Sequence, residues 1–342
     1  MFLTNYFRRL FTRGIAMDLG TANTLLYTKR EGIVVNEPSV VDLDMQTGEV
    51  LSIGAKAKVS RGRTPGRVRN VRPVRDGVIA DFDVTTRMIV HFIHQAMRGS
   101  WLFRPRMVIS IPTGVTQVEK RAVINAARAA GAVSVTLVEE PMASAIGVGL
   151  PISEAKGSMV LDIGGGTTEV AVISLSAVAV CNTVRVAGDA MNEAIMAALR
   201  SEYRLEVGEN TAEKIKIAIG SAVPVEGLEP MLVPGKDLAG GCPVKREITP
   251  EFIREALKGP VESIGDAVMR TMEQTAPALA ADIYDSGITM AGGGSLLRGM
   301  DKYISEKTHL PVHLDPDPLT AVLRGTASVM TNMADYPDVF VD

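Results

Sequence analysis

Leu161-Asp162-Ile163-Gly164-Gly165-Gly166-Thr167 decides the fold once it is set beside Met17-Asp18-Leu19-Gly20-Thr21. Each runs apolar strand, Asp, apolar residue, Gly, then small and hydroxyl residues leading into a second strand. The two aspartates lie 144 residues apart in a chain of 342, near half its length. A single Asp-x-Gly turn is ordinary β-turn chemistry. Two copies at domain spacing point to two duplicated domains. Gly292-Gly293-Gly294, after an apolar run at 287–291, is a third glycine turn. Glycines let backbone N–H groups approach phosphate oxygens closely. An Asp at a buried strand end can orient a divalent ion through its waters. The pattern therefore points to polyphosphate binding. It is neither of the common nucleotide motifs. The chain has no GxxxxGK[ST], and Leu297 stands where a GxGxxG fingerprint after the third turn wants Gly.

Around these turns the chain alternates strand and helix, the signature of an α/β protein. Strands are expected at 14–20, 24–29, 33–41, 50–53, 107–111, 133–138, 159–163 and 287–291, with β-rich segments through 169–186. Helices are expected over 84–98, 116–131, 211–220 and 250–275, with another starting at Gly188-Asp189. Thr116 and Glu119 form a capping-box pattern and Gly131 is the stop. Residues 51–75 hold Lys56, Lys58, Arg61, Arg63, Arg67, Arg69, Arg72 and Arg75 and no acid, with enough Pro and Gly to read as a loop-rich insert. Without interleaved aromatics that stretch suits a solvated face or an acidic partner surface, not nucleic acid. His91 and His94 sit three apart on a helix, but no further ligand completes a metal set.

Composition narrows the class. Hydrophobic residues at 46% and charged residues at 22% are those of a globular protein. A net charge of −3 gives no basic field for nucleic acid, and two cysteines give no disulfide framework and suit a reducing compartment. Apolar stretches break well before membrane-span length. The N-terminus departs from this average. Phe2, Leu3, Tyr6, Phe7, Leu10 and Phe11 share one helical face opposite Arg8, Arg9 and Arg13, with no acid in residues 1–13. That is the pattern of an amphipathic membrane anchor, the bland alternative being a short helix docked on the core. Trp101, Leu102 and Phe103, between Arg98 and Arg104, read as a second membrane-inserting element, or else as core.

Five stretches come in the order seen in the actin, Hsp70 and sugar-kinase superfamily. They are Asp18-Leu19-Gly20-Thr21-Ala22-Asn23-Thr24, Ile111-Pro112-Thr113-Gly114, Glu140-Pro141-Met142-Ala143, Asp162 through Glu169, and Ala291 through Gly299. Asn36-Glu37-Pro38-Ser39-Val40-Val41, Gly62-Arg63-Thr64-Pro65-Gly66, Arg75-Asp76-Gly77-Val78-Ile79-Ala80-Asp81 and Arg185-Val186-Ala187-Gly188-Asp189 narrow this. The chain from about 14 to 330 resembles the MreB family, the bacterial actins of rod-shape cell-wall growth.

The resemblance implies an actin-like ATPase fold, two related domains, each with a smaller subdomain, around a nucleotide cleft. Subdomain IA would comprise 14–32 and 76–147, IB 33–75, IIA 148–187 and 246–320, and IIB 188–245, with 321–342 returning to IA. It implies ATP and Mg²⁺ as cofactors. Thr21, Ala22 and Asn23 would form the first phosphate loop, and Gly164, Gly165 and Gly166 the second, with Thr167 beside the γ-phosphate. Asp18 and Asp162 would hold Mg²⁺ through water. Glu140 would position or activate the attacking water, with Glu139 as its rival in the Glu-Glu-Pro run. Glu213, Lys214, Ile215 and Lys216 would meet the ribose and base, and Gly292, Gly293, Gly294 and Ser295 would flank the adenosine. Without the resemblance, Glu213 and Lys216 would read as an exposed helical ion pair.

The implied partners are further copies in a filament, the inner face of the cytoplasmic membrane, and membrane-bound cell-shape and cell-wall synthesis proteins. No nucleic acid is expected, and the implied location is cytoplasmic and peripheral on that membrane. Trp101, Leu102 and Phe103 fall where the family has a hydrophobic membrane loop. One departure stands out: Leu323 and Arg324 occupy positions where smaller residues are expected. The competing reading is a soluble small-molecule kinase of the same superfamily, which would use a catalytic Asp base where this chain has Glu140. A chaperone ATPase would need an appended substrate domain that 342 residues leave no room for.

Overall fold

The computed structural model describes residues 14–97 and 104–341. The two expected membrane elements, residues 1–13 and Trp101, Leu102 and Phe103, lie outside the described residues. The chain divides into two compact units. Unit 1 comprises Met1–Lys156, Ile173–Val178 and Leu319–Asp342, and unit 2 comprises Gly157–Val172 and Ala179–Pro318.

Unit 1 is built on a six-stranded sheet. Its spatial order is Phe340–Val341, Ser134–Glu139, Arg106–Ile111, Gly14–Leu19, Asn23–Thr28, Gly32–Pro38. The last three form antiparallel hairpins, whereas Gly14–Leu19 pairs in parallel with Arg106–Ile111, which pairs in parallel with Ser134–Glu139. The sheet of unit 2 repeats the plan. Its order is Ala177–Val184, Thr168–Ser174, Ser158–Ile163, Ile288–Ala291, Val312–Leu314, the last two pairings being parallel. The repeat extends to register. Asp18 and Asp162 are each fifth in a six-residue strand, and each faces a parallel neighbour, Ser110 in one case and Ala291 in the other. Ser158–Ile163 is buried at every position, which is why Met159, Val160 and Leu161 read as a continuous apolar run and not as an alternating one.

The expected capping box is present. The Glu119 N–H donates to Thr116 Oγ1 at 3.3 Å and the Thr116 N–H donates to Glu119 Oε2 at 2.7 Å, opening the helix Gln117–Ala129. His91 and His94 lie exposed on the helix Phe82–Met97, and no cluster suited to a metal ion occurs among the described residues. No described helix is long and apolar enough to cross a membrane.

The basic stretch is more ordered than its Gly and Pro content suggests. Val41–Asp44, Val50–Ile53 and Val68–Val71 form a three-stranded sheet beside the helix Ala55–Ser60. Two carboxylates organise it. Asp42 accepts from Ser52 Oγ, Ser60 Oγ and Asn70 Nδ2 at 2.7, 2.6 and 2.7 Å. Asp44 accepts from Arg67 Nε and Nη2 at 2.9 and 2.6 Å, and that guanidinium holds its carboxyl below the usual range.

The departures at 323 and 324 also resolve. Leu323 is fully buried with Ala16, Leu25 and Ala327. Arg324 donates to the Gly147 carbonyl through Nε at 3.2 Å and Nη2 at 3.1 Å, and to Thr320 Oγ1 at 3.1 Å. These contacts join the helix Ala321–Thr331 to the helix Glu140–Gly147.

Candidate functional site

In unit 1 the turn 20–22 closes the hairpin that carries Asp18. A Cβ on Gly20 would stand 2.7 Å from the Asn23 carbonyl, so the turn admits only glycine there. Ser39 locks the turn from outside. Its hydroxyl donates to the Gly20 carbonyl at 2.6 Å, its N–H donates to the Ala22 carbonyl at 3.0 Å, and Thr24 Oγ1 lies 2.9 Å away. Because the Ser39 proton goes to Gly20, Thr24 is the donor in the last contact. Thr21 is buried, and its hydroxyl accepts the Gly77 N–H at 3.2 Å. Ser110 Oγ lies 3.3 Å from Asp18 Oδ1 and 3.4 Å from the Met17 carbonyl. Nothing in the reading of the sequence singled out Ser39 or Ser110. The signal available for Ser39 was a serine directly after Asn36-Glu37-Pro38.

Glu139 and Glu140 leave the same sheet two strands away. Asp18, Ser110 and Val138 share one register row, so both glutamates emerge at the end of the sheet where the turn 20–22 lies. Glu139 caps and Glu140 begins the helix Glu140–Gly147, and Pro141 stands in its first turn, where a missing N–H costs nothing. Both are half-buried. Burial pushes the Glu139 carboxyl up from its ordinary value, and the charge of Lys120 pulls it part of the way back.

A carboxyl raised in the folded state stabilises fully only below its unfolded pKa. That stability is lost as pH rises through the folded value. Ionised Glu139 therefore costs stability at neutral pH. Glu139→Gln is expected to raise the melting temperature at pH 7 relative to the wild type and to leave it unchanged near pH 4. Melting curves at the two pH values check this, and an equal shift at both would reject it.

In unit 2 the glycine turn is pinned to the start of a helix. The Gly164 N–H donates to the Thr167 carbonyl at 2.9 Å. The Gly188 and Asp189 N–H groups donate to the Gly164 and Gly165 carbonyls at 3.2 and 2.8 Å. Gly188 opens the helix Gly188–Tyr203, and Lys216 Nζ donates to its carbonyl at 2.7 Å. A Cβ on Gly188 would stand 3.4 Å from both the Gly164 carbonyl and Lys216 Nζ. Thr167 is buried, and Thr168 Oγ1 donates to the Val186 carbonyl at 2.7 Å.

The third turn packs on the same strand end. Gly292 has φ +79°, and a side chain there would run into Asp162 Oδ1 and the Ile163 carbonyl. Only glycine meets both demands. Ser295 is buried and its hydroxyl donates to the Ala291 carbonyl. The turns 164–167 and 292–295, Asp162, Gly188 and Lys216 thus gather at one end of the unit 2 sheet. The four residues expected on the helix Glu209–Ile219 part company. Ile215 is fully buried with Ala212 and Ile219, Lys214 is exposed on the opposite face, and Glu213 and Lys216 are half-buried between them.

Each unit therefore presents a strand-end carboxylate beside a glycine turn. In unit 2 the first N–H groups of a helix and a lysine brace the turn, and their positive charge lies close to where phosphate oxygens would sit. The donor set fits a nucleotide polyphosphate with a hydrated divalent ion.

A family model described as MreB/Mbl protein matches residues 12–337. The cell shape-determining protein MreB of Escherichia coli (strain K12) is 49% identical over 324 residues, 93% of each chain. The cell shape-determining protein Mbl of Bacillus subtilis (strain 168) is 42% identical over 328 residues, 96% of this chain and 98% of the relative. The crystal structure of MreB5 of Spiroplasma citri bound to ADP matches with a TM-score of 0.91 and 35% identity, covering 96% of this chain and 98% of that one. The MamK double helical filament, 21% identical with a TM-score of 0.80, shares the fold.

Proposed function

The chain belongs to the MreB/Mbl family, and from that premise we propose that it is an ATP-binding and ATP-hydrolysing bacterial actin that assembles into membrane-associated filaments and organises cell-wall synthesis. The observation that carries the nucleotide reading is the pinning of Gly164 and Gly165 to the N–H groups of Gly188 and Asp189, with Lys216 on the same residue. The Spiroplasma citri MreB5 structures bound to ADP and AMPPNP support it.

In this reading the turns at Thr21, Ala22 and Asn23 and at Gly164, Gly165, Gly166 and Thr167 bind the phosphates. Asp18 and Asp162 would hold Mg²⁺, which would neutralise phosphate charge. Ser39 and Ser110 keep the first turn and Asp18 in place. Gly292, Gly293, Gly294 and Ser295 flank the nucleoside with Glu213 and Lys216. Ile215 contributes from the core by setting which helix face those two present. Glu140 orients the attacking water.

The test is sedimentation and phosphate release by the full chain with Mg-ATP and phosphatidylglycerol-containing vesicles. ATP-dependent pelleting with phosphate release is expected. The absence of any polymer, together with phosphoryl transfer to a sugar, would overturn the reading.

Membrane association rests on the basic and apolar N-terminal pattern and on Trp101, Leu102 and Phe103. A short amphipathic anchor is weak alone and gains from the repetition a filament supplies. Deleting residues 2–11 and replacing Trp101, Leu102 and Phe103 with serine is expected to abolish vesicle flotation while ATP binding survives. Loss of ATP binding instead would reject the anchor assignment.

A further inference from the structure

Charge is divided unevenly between the two units. Unit 1 carries 22 lysines and arginines against 16 aspartates and glutamates, and unit 2 carries 14 against 23. Net charges of +6 and −9 underlie the −3 of the whole chain.

Each sign is concentrated on one element. In unit 1 it is the small subdomain of residues 41–71, where Lys56, Arg63 and Arg69 are exposed and no acid occurs from 51 to 75. Three large apolar residues stand exposed on the same subdomain, Met45 at 56%, Leu51 at 52% and Val59 at 66%. In unit 2 it is the helix Pro250–Gln274. Glu251, Glu255, Glu262, Asp266 and Glu273 are exposed at spacings of four and seven, which places them on one face. Ile253, Leu257, Val261, Ile264 and Val268 bury the other face. Within the chain this acidic face is only partly answered. Lys307 reaches Asp266 at 2.5 Å, the charge of Arg270 also acts on Asp266, and Lys258 lies 3.9 Å from Glu255.

We propose that the basic subdomain of one copy docks on the acidic face of the helix Pro250–Gln274 of the next. The inference rests on the self-association reading above and names the surfaces that carry it. Two different patches make the contact heterologous, so it propagates from copy to copy unless a ring closes. Opposite potentials steer encounter and suppress wrong partners, while desolvation of Leu51 and Val59 adds attraction that salt does not screen. An anionic membrane would answer the basic subdomain alone. A second copy satisfies both signs at once.

The experiment uses the full chain with Mg-ATP and measures the critical concentration by sedimentation and light scattering, with and without phosphatidylglycerol vesicles. Raising KCl from about 0.05 M to about 0.5 M shortens the screening length from roughly 14 Å to 4 Å. That change is expected to raise the critical concentration. Lys56→Glu/Arg63→Glu/Arg69→Glu and Glu255→Lys/Glu262→Lys/Glu273→Lys are each expected to raise it tenfold or more while retaining ATP binding. Mixed in equal amounts, the two variants carry matching charges at every junction and are expected to copolymerise.

Failure of the mixture to recover would overturn the proposal, as would wild-type assembly by either triple variant. A unit 1 variant that assembles normally but leaves the vesicles would assign the basic subdomain to lipid instead. A wild-type chain that never sediments would overturn the self-association reading itself, and this inference with it.

Discussion

Glu140→Ala is expected to slow ATP hydrolysis by roughly 10²- to 10³-fold while leaving ATP affinity within about twofold. That is the lower part of the roughly 10²- to 10⁴-fold range over which a positioned acid or base contributes. The geometry is compatible with this role. Asp18, Ser110 and Val138 share a register row, and adjacent strands lie about 4.8 Å apart, so the segment after Val138 emerges two strands from the Asp18 turn. Glu140 is the first helical residue there, with Pro141 fixing the entry of the chain. Its removal deletes no phosphate donor of the proposed site, whose donors would be the backbone groups of the two glycine turns. Single-turnover phosphate release and equilibrium binding of a fluorescent ATP analogue separate the two effects. Glu139→Gln in the same assays resolves the neighbouring carboxyl. Burial raises the Glu139 pKa, which would make it a stronger base, and Lys120 draws on the same charge. A rate lost with Glu139→Gln and kept with Glu140→Ala would move the water-orienting role to Glu139.

The parts of this protein legible in sequence were those written within one turn or one strand. The two Asp-x-Gly turns declared the duplication because the device needs only five adjacent residues, and the structure carries it down to register, Asp18 on Ser110 and Asp162 on Ala291. Thr116 and Glu119 were legible for the same reason. What escaped depends on residues far apart in the chain. Ser39 closes a turn 19 residues before it, and Gly188 braces one 24 residues before it. The small sheet of unit 1 was hidden because its order comes from Asp42 and Asp44, which gather Ser52, Ser60, Arg67 and Asn70 from a stretch whose local chemistry is that of a loop. Ile215 was readable after all. Ala212, Ile215 and Ile219 are the apolar stripe of their helix, a period that marks Ile215 as core.

Gly325→Ala is expected to lower the melting temperature of the chain by roughly 10 °C, on the order of 3–5 kcal/mol. On an exposed helix the same change would stabilise by about 1 kcal/mol through propensity alone. The sign is reversed here by contact. A methyl on Gly325 would overlap the carbonyl of Ala143, and one on Gly147 would overlap the carbonyl of Ala321, so the two helices meet backbone to backbone. Neither obstacle is a flexible side chain that can turn aside. Relief requires the helices Glu140–Gly147 and Ala321–Thr331 to separate. Separation would pull Leu323 and Ala327 from Ala16 and Leu25 and stretch the Arg324 bonds to the Gly147 carbonyl. Gly147→Ala meets the crossing from the other side and is expected to cost a similar amount, whereas the two changes together should cost less than their sum, since one separation relieves both. The first of these helices begins with Glu140, so the crossing also holds the site in place. Thermal and urea melts of the three variants check this. A Gly325→Ala chain as stable as the wild type would mean that the helices do not meet at these glycines.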